Sequence, residues 1–293
     1  MNQVNFGGHW TEQKLQTFVD YVKAYLKIIN RNKQKYSWET IYFDGFAGFG
    51  NADRPVDDLD LLFNIENDQE RHLYKGSVTR ILELQTPYLF DYYYFIDLDK
   101  SKVDIIDKFK SSLKHIKPNR IIARSEDCNK ELKKLASALN SNKYAALVFL
   151  DPFGMQVRWK SIASLKNTRS DIWILIPSGV AINRLITKNG LRNKDKLEAF
   201  FGLSEKDILS YFYKENKVNT LFDWKTEIKK IPNPVNKIAE LYISQLKSVW
   251  KEVTPQPLVL KNSKNSPIFH LLFASNNSAG LRIASNLIER KNR

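Results

Sequence analysis

The stretch Ile41-Tyr42-Phe43-Asp44-Gly45-Phe46-Ala47-Gly48-Phe49-Gly50 decides how the chain is read. Thr40 and Ile41 lead in with β-branched side chains, and Tyr42 and Phe43 continue the apolar run, so its first half reads as a buried strand. A carboxylate sits at the strand's end, with three glycines close behind it. Glycine has no Cβ and tolerates positive φ, so a strand entering such a turn lets a ligand approach the backbone. The spacing is G-x-x-G-x-G followed by Asn51-Ala52-Asp53, whereas a dinucleotide fingerprint is G-x-G-x-x-G opening a helix directly. A nicotinamide dinucleotide is therefore disfavoured. An ordinary β-turn would use the same residues.

Strands and helices alternate outward from this stretch. Before it, Thr11 to Ile29 has helical spacing with Thr11 as cap, Trp10 placed as a staple and His9 as a packing residue. Residues 51–75 lack periodicity and read as a long surface loop. A helix from Ser77 to Gln85, a strand from Tyr92 to Ile96 and a helix from Ser101 to Leu113 follow. Arg120–Ala123 is a short strand, Asn129–Leu139 a helix, Tyr144–Leu150 a strand, Trp159–Leu165 a helix and Asp171–Ile176 a fifth strand. From Ala181 to about Lys251 the pattern is helical, broken at Ile231–Val235, and reads as a substrate-recognition lobe. Pro257–Leu260 and Pro267–Ala274 form a hairpin, and Ser278–Arg290 a last helix. The prediction is one α/β domain. Its Rossmann-like, seven-stranded sheet is mostly parallel with a C-terminal antiparallel hairpin, helices on both faces and a helical insertion.

Composition narrows the setting. The chain has 293 residues, 43% of them hydrophobic, which is ample for a large core. Its longest apolar runs, Tyr144–Leu150 and Ile172–Pro177, are strand-sized and far below a membrane span. No signal-peptide pattern is visible at the N-terminus. The single Cys128 rules out an intrachain disulfide and fits a reducing cytoplasm; the four scattered histidines have no metal-ligand spacing. Net charge is +14, and residues 151–293 carry 24 basic against 12 acidic side chains, while residues 1–150 are near neutral. That asymmetry points to a polyanion, DNA or RNA, unless the lysines simply solvate surface helices.

In an open α/β sheet, ligands sit beyond the carboxyl ends of the strands. The first four predicted strands each end in an acid: Asp44, Asp97, Asp127 and Asp151. The pattern D-x-F-A-G-x-G is similar to the S-adenosylmethionine loop of Rossmann-like methyltransferases, particularly those acting on amino groups of nucleic acids. Such a ligand presents an ammonium group, a ribose diol and an adenine amine, all donors. Asp44 with Gly45, Phe46, Ala47, Gly48 and Gly50 suits the ammonium side. Asp97, with Leu98 beside it, suits the ribose hydroxyls. Asp127 suits the adenine amine, with the Cys128 N–H facing a ring nitrogen. Each acid, taken alone, would also serve as a helix cap. Asp151-Pro152-Phe153-Gly154 resembles the catalytic loop of amino-directed methyltransferases, where the acid and the proline-region carbonyl accept from the target NH₂ and the ring stacks on the base. Its single proline makes it more similar to the loop of tRNA guanine N2-dimethyltransferases and leaves the target base open.

Over residues 9–185 the chain resembles the three-Cys-motif partner protein family, which is methyltransferase-like. The resemblance rests on His9-Trp10-Thr11 with Lys14, Tyr42 to Gly48, Phe95-Ile96-Asp97-Leu98-Asp99, and Phe149 to Gly154 with Trp159. It implies a methyltransferase sheet, an S-adenosylmethionine cofactor and a three-cysteine-motif protein as partner. The function expected is methyl transfer to an exocyclic amine of a nucleic-acid base. A non-catalytic partner role is the alternative, and a Mg²⁺-dependent nuclease using Asp97, Asp99 and Asp151 is a third.

Overall fold

A computed structural model describes residues 8–48, 76–141, 143–219 and 224–292. The surface loop expected over 51–75 lies outside them, as do Gly50 and the side chain of His9. Five strands, β1 (Glu39–Asp44), β2 (Tyr92–Asp97), β3 (Ile121–Ser125), β4 (Tyr144–Leu150) and β5 (Ser170–Ile176), pair in parallel in the order β3-β2-β1-β4-β5. β4 sits inside the sheet, and Ala145 through Leu150 are all buried, as a strand covered on both faces requires. From β1 the chain steps outward to β2 and β3, then returns to place β4 on the other side of β1. Strand order reverses between β1 and β4.

That reversal sorts the helices. Crossovers are right-handed, so walking the sheet in opposite directions puts helices on opposite faces. On one face, α1 (Gly8–Tyr36), α2 (Ser77–Leu82) and α3 (Lys100–Lys110) pack against Tyr42, Phe149 and Trp173. On the other, α4 (Cys128–Leu139) and α5 (Trp159–Ala163) pack against Phe43, Val148 and Ile174. α1 begins three residues before Thr11, so Thr11 lies in its first turn and does not cap it; Ser37, at φ 52°, ends it.

The segment after β5 differs from the helical lobe expected. It carries two hairpins: β6 (Ile186–Thr187) with β7 (Gly190–Leu191) before α6 (Lys194–Phe201) and α7 (Glu205–Phe212), and β8 (Tyr213–Asn219) with β9 (Trp224–Lys230) before α8 (Pro234–Leu246). Lysines at 214, 217, 225, 229 and 230 dilute the strand-forming Val218, Trp224, Thr226 and Ile228, which hides the second hairpin from a periodicity reading. Nor is this segment a separate lobe. Phe200, Phe201, Ile208, Phe212 and Tyr242 belong to the same apolar cluster as β4 and β5.

The sheet closes with β12 (Pro267–Ser275), antiparallel to β5. Its outer edge pairs with β10 (Glu252–Val253) and then with β11 (Leu258–Lys261). One edge strand is thus broken in two by Thr254-Pro255-Gln256-Pro257, since proline has no N–H for the ladder. This gives eight strands where seven were expected. The last helix, α9 (Ser278–Asn292), lies on the α1 face through Ala284 and Ile288. Its Asn292 side chain accepts from the Val259 N–H at 3.1 Å and donates to the Pro257 carbonyl at 2.9 Å.

Candidate functional site

Backbone hydrogen bonds stitch the strand ends into one edge. The Gly45 N–H donates to the Phe149 carbonyl (3.0 Å), Ala47 to Ile96 (2.9 Å) and Glu126 to Asp97 (3.2 Å). The loops that carry Asp44, Asp97, Asp127 and Asp151 are therefore fixed relative to one another at the point where strand order reverses.

The four acids take different roles. Asp44 is completely buried. One oxygen accepts from the Phe46 N–H (3.1 Å), and the other from the Ser77 hydroxyl (2.6 Å) and the Tyr42 hydroxyl (3.3 Å). Burial pushes its pKa up to about 7 against these hydrogen bonds, and the charge of Asp151 adds to the rise. Asp44 anchors the turn from within, its oxygens engaged by Phe46, Ser77 and Tyr42. Ser77 is the first residue of α2 and spends its hydroxyl on Asp44.

Asp127 caps α4, its side chain accepting from the Lys130 N–H at 3.1 Å. Cys128 opens that helix, where the first N–H groups have no intrahelical acceptor. Its thiol is buried, which raises its pKa well above the ordinary thiol range. Asp97 accepts from the Asp99 N–H (2.8 Å) and pairs with Lys102 at 3.2 Å, its side chain 12% exposed. Leu98 beside it is 73% exposed, the most solvent-facing large apolar side chain among the described residues. Asp99 caps α3 through Ser101, whose N–H and hydroxyl hold its carboxyl below the usual range.

The glycines divide similarly. A Cβ on Gly45 would lie 2.5 Å from Cys128 Sγ and 2.7 Å from a Leu150 methyl, so this glycine is demanded by packing. A Cβ on Gly48 would meet nothing within 4 Å. Ala47 is buried, and Phe46 packs partly buried against the apolar cluster of β4 and β5. Only Gly48, of the glycines described in the turn, faces open space.

Asp151 has a partner that sequence reasoning missed. Lys14, on α1, reaches it at 2.5 Å with its own side chain 6% exposed, and lies 5.4 Å from the centre of the Trp10 ring. In the sequence Lys14 stands out only beside His9-Trp10-Thr11. No local signal marks it, because 137 residues separate it from Asp151. The loop beyond Asp151 is pinned as well: Pro152 is buried, Gln156 accepts from the Gly154 N–H (2.9 Å), and Asn129 on α4 bonds Gln156 and Arg158. Phe153 is half-buried, its ring 6.0 Å from the Lys102 ammonium. Lys102 thus stands between the β2 and β4 loops.

Among the described residues no group of three or more His, Cys, Asp or Glu side chains could hold a metal ion, so Asp97, Asp99 and Asp151 do not form a cage for Mg²⁺. No described helix is long and apolar enough to cross a membrane. The chain matches no protein-family model and no curated protein.

Proposed function

We propose that the protein is an S-adenosylmethionine-dependent methyltransferase acting on an exocyclic amine of a nucleic-acid base. One observation supports this above the rest: the glycine turn, the Asp97-Leu98 pair and the Asp151–Phe153 loop converge where strand order reverses, the position at which open α/β sheets bind ligands. The residues present fit such a cofactor. Gly48 borders open space, Asp97 offers a carboxylate at the end of β2, and exposed Leu98 offers an apolar surface for a purine. When bound, the cofactor supplies an electrophilic methyl group on a sulfonium.

The chain's own part is placement. Asp151, oriented by Lys14, accepts a hydrogen from the target amine, and the carbonyl of buried Pro152 is a second acceptor. Phe153 is the ring against which the base stacks. Holding a nitrogen and a methyl at roughly 3–3.5 Å is the main source of rate in such a transfer. A base within a duplex would first have to be flipped out.

Calorimetry with S-adenosylmethionine and S-adenosylhomocysteine tests this directly. Binding is expected, with Asp97→Ala losing it and Asp151→Asn retaining it but failing to transfer radiolabelled methyl to RNA or DNA. Absence of binding to the unmodified protein sinks the reading. The second reading, a non-catalytic member assembling with a three-cysteine-motif protein, is favoured by the closure of Asp44 and by Lys102 lying on Asp97. Methyl incorporation by the purified protein excludes it.

A further inference from the structure

The hairpin β8–β9 stands apart from the main sheet. Its strands form a two-stranded sheet of their own, and a lone ribbon of that kind is only marginally stable in water. The root is held by several hydrogen bonds. The Ile231 N–H donates to the carbonyl of buried Phe212 (2.9 Å), and the Tyr213 hydroxyl to the Ile186 carbonyl (3.2 Å). The Lys230 ammonium donates to the carbonyls of Ile186 (2.9 Å) and Asn183 (3.0 Å) and to the Asn183 side-chain oxygen (2.9 Å). Asn183 and Ile186 come soon after the carboxyl end of β5, which pairs in parallel with β4 and so ends on the side of the sheet that carries Asp151.

Just beyond the root the ribbon is uncovered. Lys214 and Lys229 are exposed, and Ile228, next along the strand and so on the opposite face, is 51% exposed. Neither face is packed onto the body at that register. The register also sets Lys214 directly opposite Lys229, and like charges placed opposite each other weaken a hairpin. Over the two strands, lysines 214, 217, 225, 229 and 230 stand against Glu215 and Glu227 alone. The three oxygens that Lys230 meets carry no net charge to offset its own. A marginal ribbon that juxtaposes lysines gains stability from anions set between them, and a nucleic-acid backbone offers such anions in a row.

We propose that the β8–β9 ribbon docks duplex DNA, entering the major groove with Lys214 and Lys229 on a phosphate at its rim and holding the duplex toward the edge that carries Asp151. The dimensions agree. Seven residues in each strand reach about 24 Å at ~3.4 Å per residue, and the major groove of B-form DNA, ~12 Å wide, admits a two-stranded ribbon. The deep, narrow major groove of an A-form RNA duplex does not. Lys214 and Lys229 lie one pair beyond the root, where the phosphates bordering a groove would meet an inserted ribbon. This deepens the methyltransferase reading, on which it rests for the purpose of docking, by naming duplex DNA as the substrate. The docking itself is measured without cofactor or methyl transfer.

Fluorescence anisotropy of a short labelled DNA duplex, titrated with the full chain across a salt series and without S-adenosylmethionine, provides the test. Binding is expected. The double variant Lys214→Gln/Lys229→Gln should flatten the log–log salt slope by about 0.9 per lysine, near 2 for the pair, whatever the duplex sequence. Lys108→Gln/Lys114→Gln removes the same charge at exposed positions of the first half and should keep the unmodified slope. An RNA duplex of the same sequence should bind more weakly than the DNA. Duplex DNA that does not bind overturns the proposal, as does equal flattening in the two double variants or none in the first. An RNA duplex held as tightly as DNA overturns it too. Failure to bind S-adenosylmethionine in calorimetry would instead strike the methyltransferase reading and leave the docking result standing.

Discussion

Lys14 and Asp151 form an ion pair that is dry on the lysine side and one-fifth exposed on the other. Breaking such a pair leaves a half-buried charge without its partner, a loss of roughly 1–3 kcal/mol. Lys14→Met is expected to lower the unfolding free energy by about that amount in a denaturant titration; a change within experimental error would show the pair to be dispensable. Asp44 has the opposite electrostatics from a surface carboxylate. Its folded pKa, about 7, exceeds the ordinary 3.8 because burial disfavours the charge. The native state therefore holds a proton that the unfolded chain releases, and stability falls as pH rises from about 4 to about 7, by up to about 1.4 kcal/mol per unit. Asp171, half-buried and accepting from Tyr21 and Ser275, is raised to about 6 and acts in the same direction. Asp44→Asn should flatten this dependence, measured as unfolding free energy against pH. A variant that parallels the unmodified protein at every pH contradicts the assignment.

Within the turn after β1, two glycines that look equivalent in sequence have unequal duties. Gly45→Ala would press on Cys128 and Leu150 and should destabilise the protein by roughly 1–3 kcal/mol, as overpacking does. Cys128→Ala in the same chain should recover part of that loss by removing the sulfur. Gly48→Ala should leave the thermal midpoint unchanged, because its added methyl meets nothing, yet weaken S-adenosylmethionine binding in calorimetry. Equal loss of stability at both positions would show that this division is wrong. Such distinctions are invisible in the sequence, which displays the motif but not the neighbours α4 and β4 that press on one side of it. β4 itself was legible residue for residue, because seven consecutive apolar side chains between polar flanks leave little choice. β10 was not, since two residues paired with β12 carry no period at all. The acids illustrate the same limit. Their positions at strand ends could be read, whereas Ser77 closing over Asp44 and Lys102 over Asp97 are products of tertiary packing.

Taken whole, the molecule combines a sheet whose strand order reverses between β1 and β4 with a strongly basic second half. If residues 151–293 meet phosphates, affinity for DNA should fall linearly in log–log terms with salt, by about 0.9 per phosphate contacted. Filter binding across a salt series reads that slope, and a slope near zero would assign the lysines to solvation alone. The fold class followed from the alternation of elements. The division into core and lobe did not, because the aromatic residues of α6 to α8 fill the same interior as β4 and β5 and no boundary in composition marks that union.

The amide of Asn292 works on the outermost strand as a further strand would, engaging one carbonyl and one N–H of a border otherwise open to pairing. Clipping or fusing the chain near this residue thus carries a colloidal hazard. Once the clasp is lost, Leu258 to Lys261 becomes a template for another copy, and self-association should grow with concentration while the interior stays folded.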